Sequence, residues 1–142
     1  MASRATRRGF MLGILAAAAL LGGCAGMGES KPAKERVVLQ VSDDNPKTWH
    51  QALNVVNNLN MNYGKRGIDA EIALVAFGDG IQMLRDDAVV ANRVQEAVKG
   101  GAQIIACQNS MQRFKLTRDQ MVDKIAYVQT GVIHIIEKQR QG

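Results

Sequence analysis

The chain has 142 residues, 46% apolar and 22% charged, the proportions of one soluble globular domain; they exclude a disordered chain and a polytopic membrane protein. The formal net charge of +5 overstates its basicity. Arg4, Arg7 and Arg8 fall in a removable leader, and the remaining 15 basic against 13 acidic residues leave only +2. Lys65 with Arg66, and Arg113 with Lys115 and Arg118, are the densest basic patches. No aromatic stripe runs beside them, so they read as solvated faces and no nucleic acid partner is implied.

The first 23 residues are expected to be a signal peptide. TRRGFMLGILAAAALLGGC, residues 6–24, has a basic start, an apolar stretch from Phe10 to Leu21 and small residues before Cys24. The stretch is too short to span a bilayer as a mature helix. Thr6, Arg7, Arg8, Gly9 and Phe10 resemble a twin-arginine export motif, and Leu21, Gly22, Gly23 and Cys24 resemble a bacterial lipobox. That resemblance implies diacylation of Cys24 and a lipid-anchored protein on the periplasmic side of a bacterial membrane. Multiple lipid chains hold by burying methylenes at ~0.8 kcal/mol each. Ala25 after the cysteine, where Asp would favour retention at the inner membrane, favours the outer membrane by analogy with lipoprotein sorting. Residues 24–35 then read as a flexible tether, rich in Gly, Ser, Pro and charge without an apolar period.

From residue 36 strands and helices alternate. RVVLQVS, residues 36–42, is a β-branched run closed by the turn-forming DDNP, and predicts a buried strand. Pro46 suits a first helical turn. Trp49, Ala52, Leu53, Val56 and Leu59 keep helical spacing as far as Gly64, on a helix also loaded with Asn54, Asn57, Asn58, Asn60 and Asn62. IDAEIALVAFG, residues 68–78, reads as a central strand, and FGDGI at its end as a tight turn. Asp86 or Asp87 is expected to cap the next helix, lined by Val90, Val94, Ala97 and Val98 and ended by Gly100 and Gly101. AQIIAC, residues 102–107, is a third strand. Thr117 and Gln120 have capping-box spacing. KIAYV, residues 124–128, is a fourth strand, and Thr130 is expected to cap a last helix with Val132, Ile135 and Ile136 inward. Short connections between alternating elements predict an α/β fold, a flavodoxin-like parallel sheet of about four strands with helices on both faces.

Ligands of such sheets gather beyond the carboxyl ends of the strands. SDDNP, FGDGI and CQNSM reach that edge, and Cys107 lies on it. A helix starting at Asn109 or Ser110 points unpaired amides at the sulfur and favours the thiolate, the form needed for sulfur transfer. The competing reading is a small buried hydrophobe at a strand end. With Cys24 lipidated, Cys107 is the only thiol in an oxidising compartment, so it is buried, bonded to another molecule, or in use. Gly78, Asp79 and Gly80 form a candidate pocket wall, and Asp43 reaches the same edge. FGDGI lacks dinucleotide-loop spacing. His50 and His134 sit on separate helices, and no Cys/His cluster has metal-ligand spacing, so no metal is expected. No cofactor is expected either; a flavin-dependent reductase rests on fold analogy alone.

The segments VVLQVSDDNPKTWHQALNVVNNL, VAFGDGIQML, VQEAVKGGAQIIACQNSM, LTRDQM and YVQTGVIHIIEKQRQG resemble the DsrE/DsrF-like family over residues 36–142. The resemblance implies a parallel α/β fold, homo-oligomers such as trimers or hexamers, and a persulfide-carrying cysteine at the end of the third strand, the place of Cys107. In relay members small apolar residues follow that cysteine, whereas Gln108, Asn109, Ser110 and Met111 follow it here. The family pattern also continues past a glycine equivalent to Gly142 into a final aromatic-bearing strand. This sequence ends there, which leaves the fourth strand as an edge for oligomerisation to cover. The expected function is a persulfide carrier, not a turnover enzyme, with Asn109 and Ser110 as hydrogen-bond donors. It would pass sulfur between donor and acceptor proteins or small sulfur species. The alternative is a non-catalytic oligomeric binding or scaffold module with a packed cysteine.

Overall fold

A computed structural model describes residues 34–142. The leader, the lipobox with Cys24 and the tether as far as residue 33 lie outside the described residues. Four strands, β1 (Glu35–Val41), β2 (Ala70–Ala76), β3 (Gln103–Cys107) and β4 (Ala126–Val128), pair in parallel. The helices are α1 (Pro46–Lys65), α2 (Ala91–Lys99), α3 (Gln108–Arg113) and α4 (Gly131–Arg140). The parallel sheet with helices on both faces is the expected architecture. Among the described residues no helix is long and apolar enough to cross a membrane.

The strand order is β1-β2-β3-β4, each strand beside its chain neighbour. A flavodoxin order would insert the first strand between the second and third. The consequence is unequal cover. Successive connections that step in one direction with one hand all pass over the same face of a sheet. Trp49, Leu53 and Val56 of α1, Val94 of α2 and Met111 of α3 accordingly pack into one core with Ile72, Leu74, Ala76, Ile104 and Ala106. The alternate strand residues Ala73, Val75 and Ile105 point the other way and meet only Ile135 of α4, with Val38, Phe77 and Val128 at the margins. The period-2 alternation of strand side chains thus sorts one sheet into a thick face and a thin one.

Local signals explain the elements. Asn45 caps α1, its side chain accepting from the Lys47 N–H at 3.0 Å, with Pro46 at the first position. Thr117 and Gln120 form the expected capping box on a single 3-10 turn, Arg118–Gln120. The FGDGI segment is more than a tight turn: residues Gly78–Leu84 form a 3-10 helix with Ile81, Met83 and Leu84 fully buried. Gly80 permits this, because a Cβ there would collide with the Val41 carbonyl group.

Three expectations are corrected. Neither Asp86 nor Asp87 caps α2; Val90 stands at its N-cap, and the Asp87 carboxylate pairs with Arg85 at 2.6 Å instead. Thr130 occupies the N-cap of α4 without capping it, and its hydroxyl accepts from the Asn109 amide at 3.1 Å. Val132 and Ile136 do not face inward. They are 45% and 37% exposed beside Ile133 at 52%, because Gly131, Ile135 and Lys138 form the stripe that meets the sheet. The sheet's edges are β1, seven residues long, and β4, three residues long.

Candidate functional site

Cys107 closes β3 and occupies the N-cap position of α3, so the helix begins at Gln108. Alternation along QIIAC sends Ile104 and Ala106 to the thick face, and Ile105 with Cys107 to the thin one. There α4 comes down onto the cysteine through its first residue. A Cβ on Gly131 would stand 3.2 Å from the Cys107 Cβ, 3.1 Å from that of Phe77 and 3.2 Å from Val75 Cγ1. A bare glycine is what lets the helix end approach the sulfur so closely. The Gly131 N–H donates to Sγ at 3.3 Å.

The Ser110 hydroxyl and the Ser110 and Asn109 amides at the start of α3 also favour the charged form of the sulfur, while the Asn109 N–H itself is bonded to the Gln129 carbonyl at 3.2 Å. Ser110 is itself held in place, its Oγ accepting from the Gly78 N–H at 2.8 Å, so the 78–84 segment reaches the sulfur through one intermediary. Among the described residues, the acceptor of the thiol is the Gln129 carbonyl, to which it donates at 3.8 Å.

These surroundings bias the thiol toward its charged form. Burial, the largest influence, pushes the thiol up; Ser110's hydroxyl and then the three amides outweigh it, and Cys107 is held below the ordinary thiol range. The stabilisers are all neutral dipoles, placed by the starts of two helices. The side chain is nonetheless covered, with only 4% of the residue exposed.

The other expected residues divide. Asn109, Ser110 and Gly78 are gathered at the sulfur. Asp79 turns outward to Arg113, at 3.6 Å. Gly80 serves the close approach of the 3-10 helix to β1. Asp43 belongs to the α1 turn: its carboxylate accepts from the Asn45 N–H at 3.1 Å, and its carbonyl from Trp49 Nε1 at 2.8 Å. Gln129 and Gly131 were not foreseen. They lie more than 20 positions along the chain from Cys107, and only the β3–β4 pairing, Cys107 opposite Val128, brings them near. Thr130-Gly131 at a helix start was the one signal available, and it reads as a cap. Of the histidines, His50 takes a contact of 2.9 Å from Arg93, and His134 has a buried Nε2 without a hydrogen-bond partner. No group of three or more His, Cys, Asp or Glu suited to a metal occurs among the described residues.

A cleft of about 250 Å³ lies at the opposite end of the sheet, among Arg36, Val38, Glu71, Lys138 and Gln141. There Lys138 Nζ meets Glu71 Oε1 at 2.7 Å, and this bond, above all else, holds the Glu71 carboxyl below its usual range against the opposing effect of burial.

Residues 37–142 match the DsrE/DsrF-like family. Among solved structures, a protein of unknown function from Methanobacterium thermoautotrophicum is 26% identical, with a TM-score of 0.70 over 76% of this chain and 94% of that one. A conserved protein of unknown function from Bacteroides thetaiotaomicron shares the fold at 20% identity and a TM-score of 0.59, over 76% of this chain and 90% of its own. No curated protein matches the chain.

Proposed function

The chain belongs to the DsrE/DsrF-like family, which is generally linked to sulfur relay, and from that premise we propose that it binds or relays sulfur as a persulfide on Cys107. The observation that carries this reading is the sulfur's seat between the starts of α3 and α4, where the Gly131 N–H donates to it at 3.3 Å and neutral groups of Ser110, Gly131 and Asn109 favour its charged form. A thiolate is the attacking form in sulfur exchange. The Cys107 thiolate attacks the outer sulfur of a donor persulfide R–S–SH; the donor S–S bond breaks, RS⁻ leaves, and Cys107 holds –S–SH. An acceptor thiolate then removes the outer sulfur by the same exchange. No oxidant is consumed, and the protein acts as a carrier.

Lipidation of Cys24 would place this chemistry on the periplasmic side of a bacterial membrane, with the outer membrane favoured, and leave Cys107 as the only free thiol. Palmitate labelling tests that part: incorporation is expected in the full chain and lost in Cys24→Ala. Labelling absent from both removes the anchor.

A second reading has its own support. Cys107 is covered, and Val132, Ile133 and Ile136 leave an apolar strip on α4 of the kind that marks association surfaces. Under that reading the protein is a homo-oligomeric scaffold and the cysteine only packs. Exposure of the native full chain to polysulfide separates the two. The carrier gains one sulfur on the tryptic fragment 100–113, which contains Cys107, and Cys107→Ser gains none there. A native protein whose fragment stays unmodified, while the urea-unfolded chain is modified, supports the scaffold and rejects the carrier.

A further inference from the structure

We propose that the turn joining β4 to α4 is a latched cover over Cys107, fastened by Asn109, and that reagents reach the sulfur when this latch opens. The purpose of such a cover rests on the carrier reading; its existence does not. Three bonds fasten it. Gln129 Nε2 donates to Asn109 Oδ1 at 2.6 Å, Asn109 Nδ2 donates to Thr130 Oγ1 at 3.1 Å, and the Asn109 N–H donates to the Gln129 carbonyl at 3.2 Å. Both side-chain bonds lie on the exposed surface, where water replaces a broken partner at little cost. Thr130 gives its hydroxyl to this contact and leaves α4 uncapped.

The mechanical setting favours opening on this side. The turn hangs from the three-residue edge strand β4 and lies over the thin face. On the other side of the sulfur, Ser110 is buried and tied to Gly78, next to the fully buried Ile81, Met83 and Leu84. Lifting residues 129–131 therefore withdraws the Gly131 N–H and the Gln129 carbonyl from Sγ but leaves Ser110, tied to Gly78, and the start of α3 in place. The sulfur becomes reachable while its α3 side stays fixed. Ionisation works in the same direction, since a thiolate has no proton to give the Gln129 carbonyl and loses that tie to the turn.

The test is the rate of iodoacetamide alkylation at Cys107 in the native full chain, read on fragment 100–113, for wild type, Asn109→Ala, Gln129→Ala and Thr130→Val. Asn109→Ala removes both side-chain bonds and is expected to accelerate alkylation about tenfold, the others by less. The urea midpoint and slope of each variant together supply the fraction globally unfolded. Wild-type rates in all three variants overturn the latch, and so does an acceleration accounted for by global unfolding. Fast alkylation of Asn109→Ala without sulfur uptake from polysulfide leaves the latch standing and rejects the carrier.

Discussion

The two faces of the sheet are built differently, and under the carrier reading the difference separates stability from chemistry. On the thick face, three helices and the 78–84 segment enclose Leu74, Val56 and Val94 completely. On the thin face, a single helix covers Ala73, Val75 and Ile105 through one fully inward apolar side chain, Ile135, and its first residue rests on the thiol. A group that must be shielded and yet reached is better placed under the lighter cover, because opening there disturbs few buried contacts.

The largest expected effect is on the thick face. Leu74→Ala should destabilise the fold by about 3 kcal/mol in urea unfolding, the cost of a cavity where nothing can collapse. Gly131→Ala comes next and probes the other face: the new Cβ meets three atoms at 3.1 to 3.2 Å, so α4 must shift, at a cost of about 1–3 kcal/mol. Its distinguishing result is chemical, since displacing the Gly131 N–H should raise the pH midpoint of Cys107 alkylation. A loss of stability with an unchanged midpoint would show that this amide does not act on the sulfur.

Ser110→Ala should cost about 1 kcal/mol, the usual worth of a buried hydrogen bond, and move the alkylation midpoint up further, because the hydroxyl outranks each amide in lowering it. The sign for stability follows from linkage. A thiol whose folded pKa is lowered adds stability above its unfolded pKa and loses it as pH falls through the folded value. The alkaline gain in wild type should therefore shrink in Ser110→Ala, as measured by urea midpoints on either side of the ordinary thiol range. The smallest effect is expected at the far end of the thin face. Glu71 is partly exposed, so Glu71→Gln should cost less than about 1 kcal/mol. Its carboxyl is lowered chiefly by the Lys138 bond, so the stability it adds is present above the ordinary carboxyl pKa and lost as pH falls through the lowered value. The wild type and Glu71→Gln stability curves should converge in acid.

Much of this fold was legible in the sequence, because β-branched runs, Pro46, the Thr117 and Gln120 pair and the glycines at 100 and 101 are local signals acting where they stand. The strand order was not. Nothing in a strand's own residues records which neighbour it will pair with, and the unequal faces follow from pairing. The same limit explains the misplaced inward stripe of α4: Val132, Ile135 and Ile136 share an apolar period, but the fit of Gly131 against Val75, Phe77 and Cys107 sets the helix's rotation. At the site, Asn109 and Ser110 were readable because they follow the cysteine directly. Gly131 and Gln129 reach it only through tertiary structure, and Asp43 and Asp79, which alignment at the strand edge made plausible, spend their carboxylates on a turn and on Arg113.

The most direct test of a covered thiol with a lowered pKa is the pH dependence of alkylation at Cys107 in the native wild-type chain, with Cys107→Ser as the blank. A single titration with its midpoint below that of a free cysteine is the predicted result. A midpoint at or above the free-cysteine value, or no reaction short of unfolding, would contradict it.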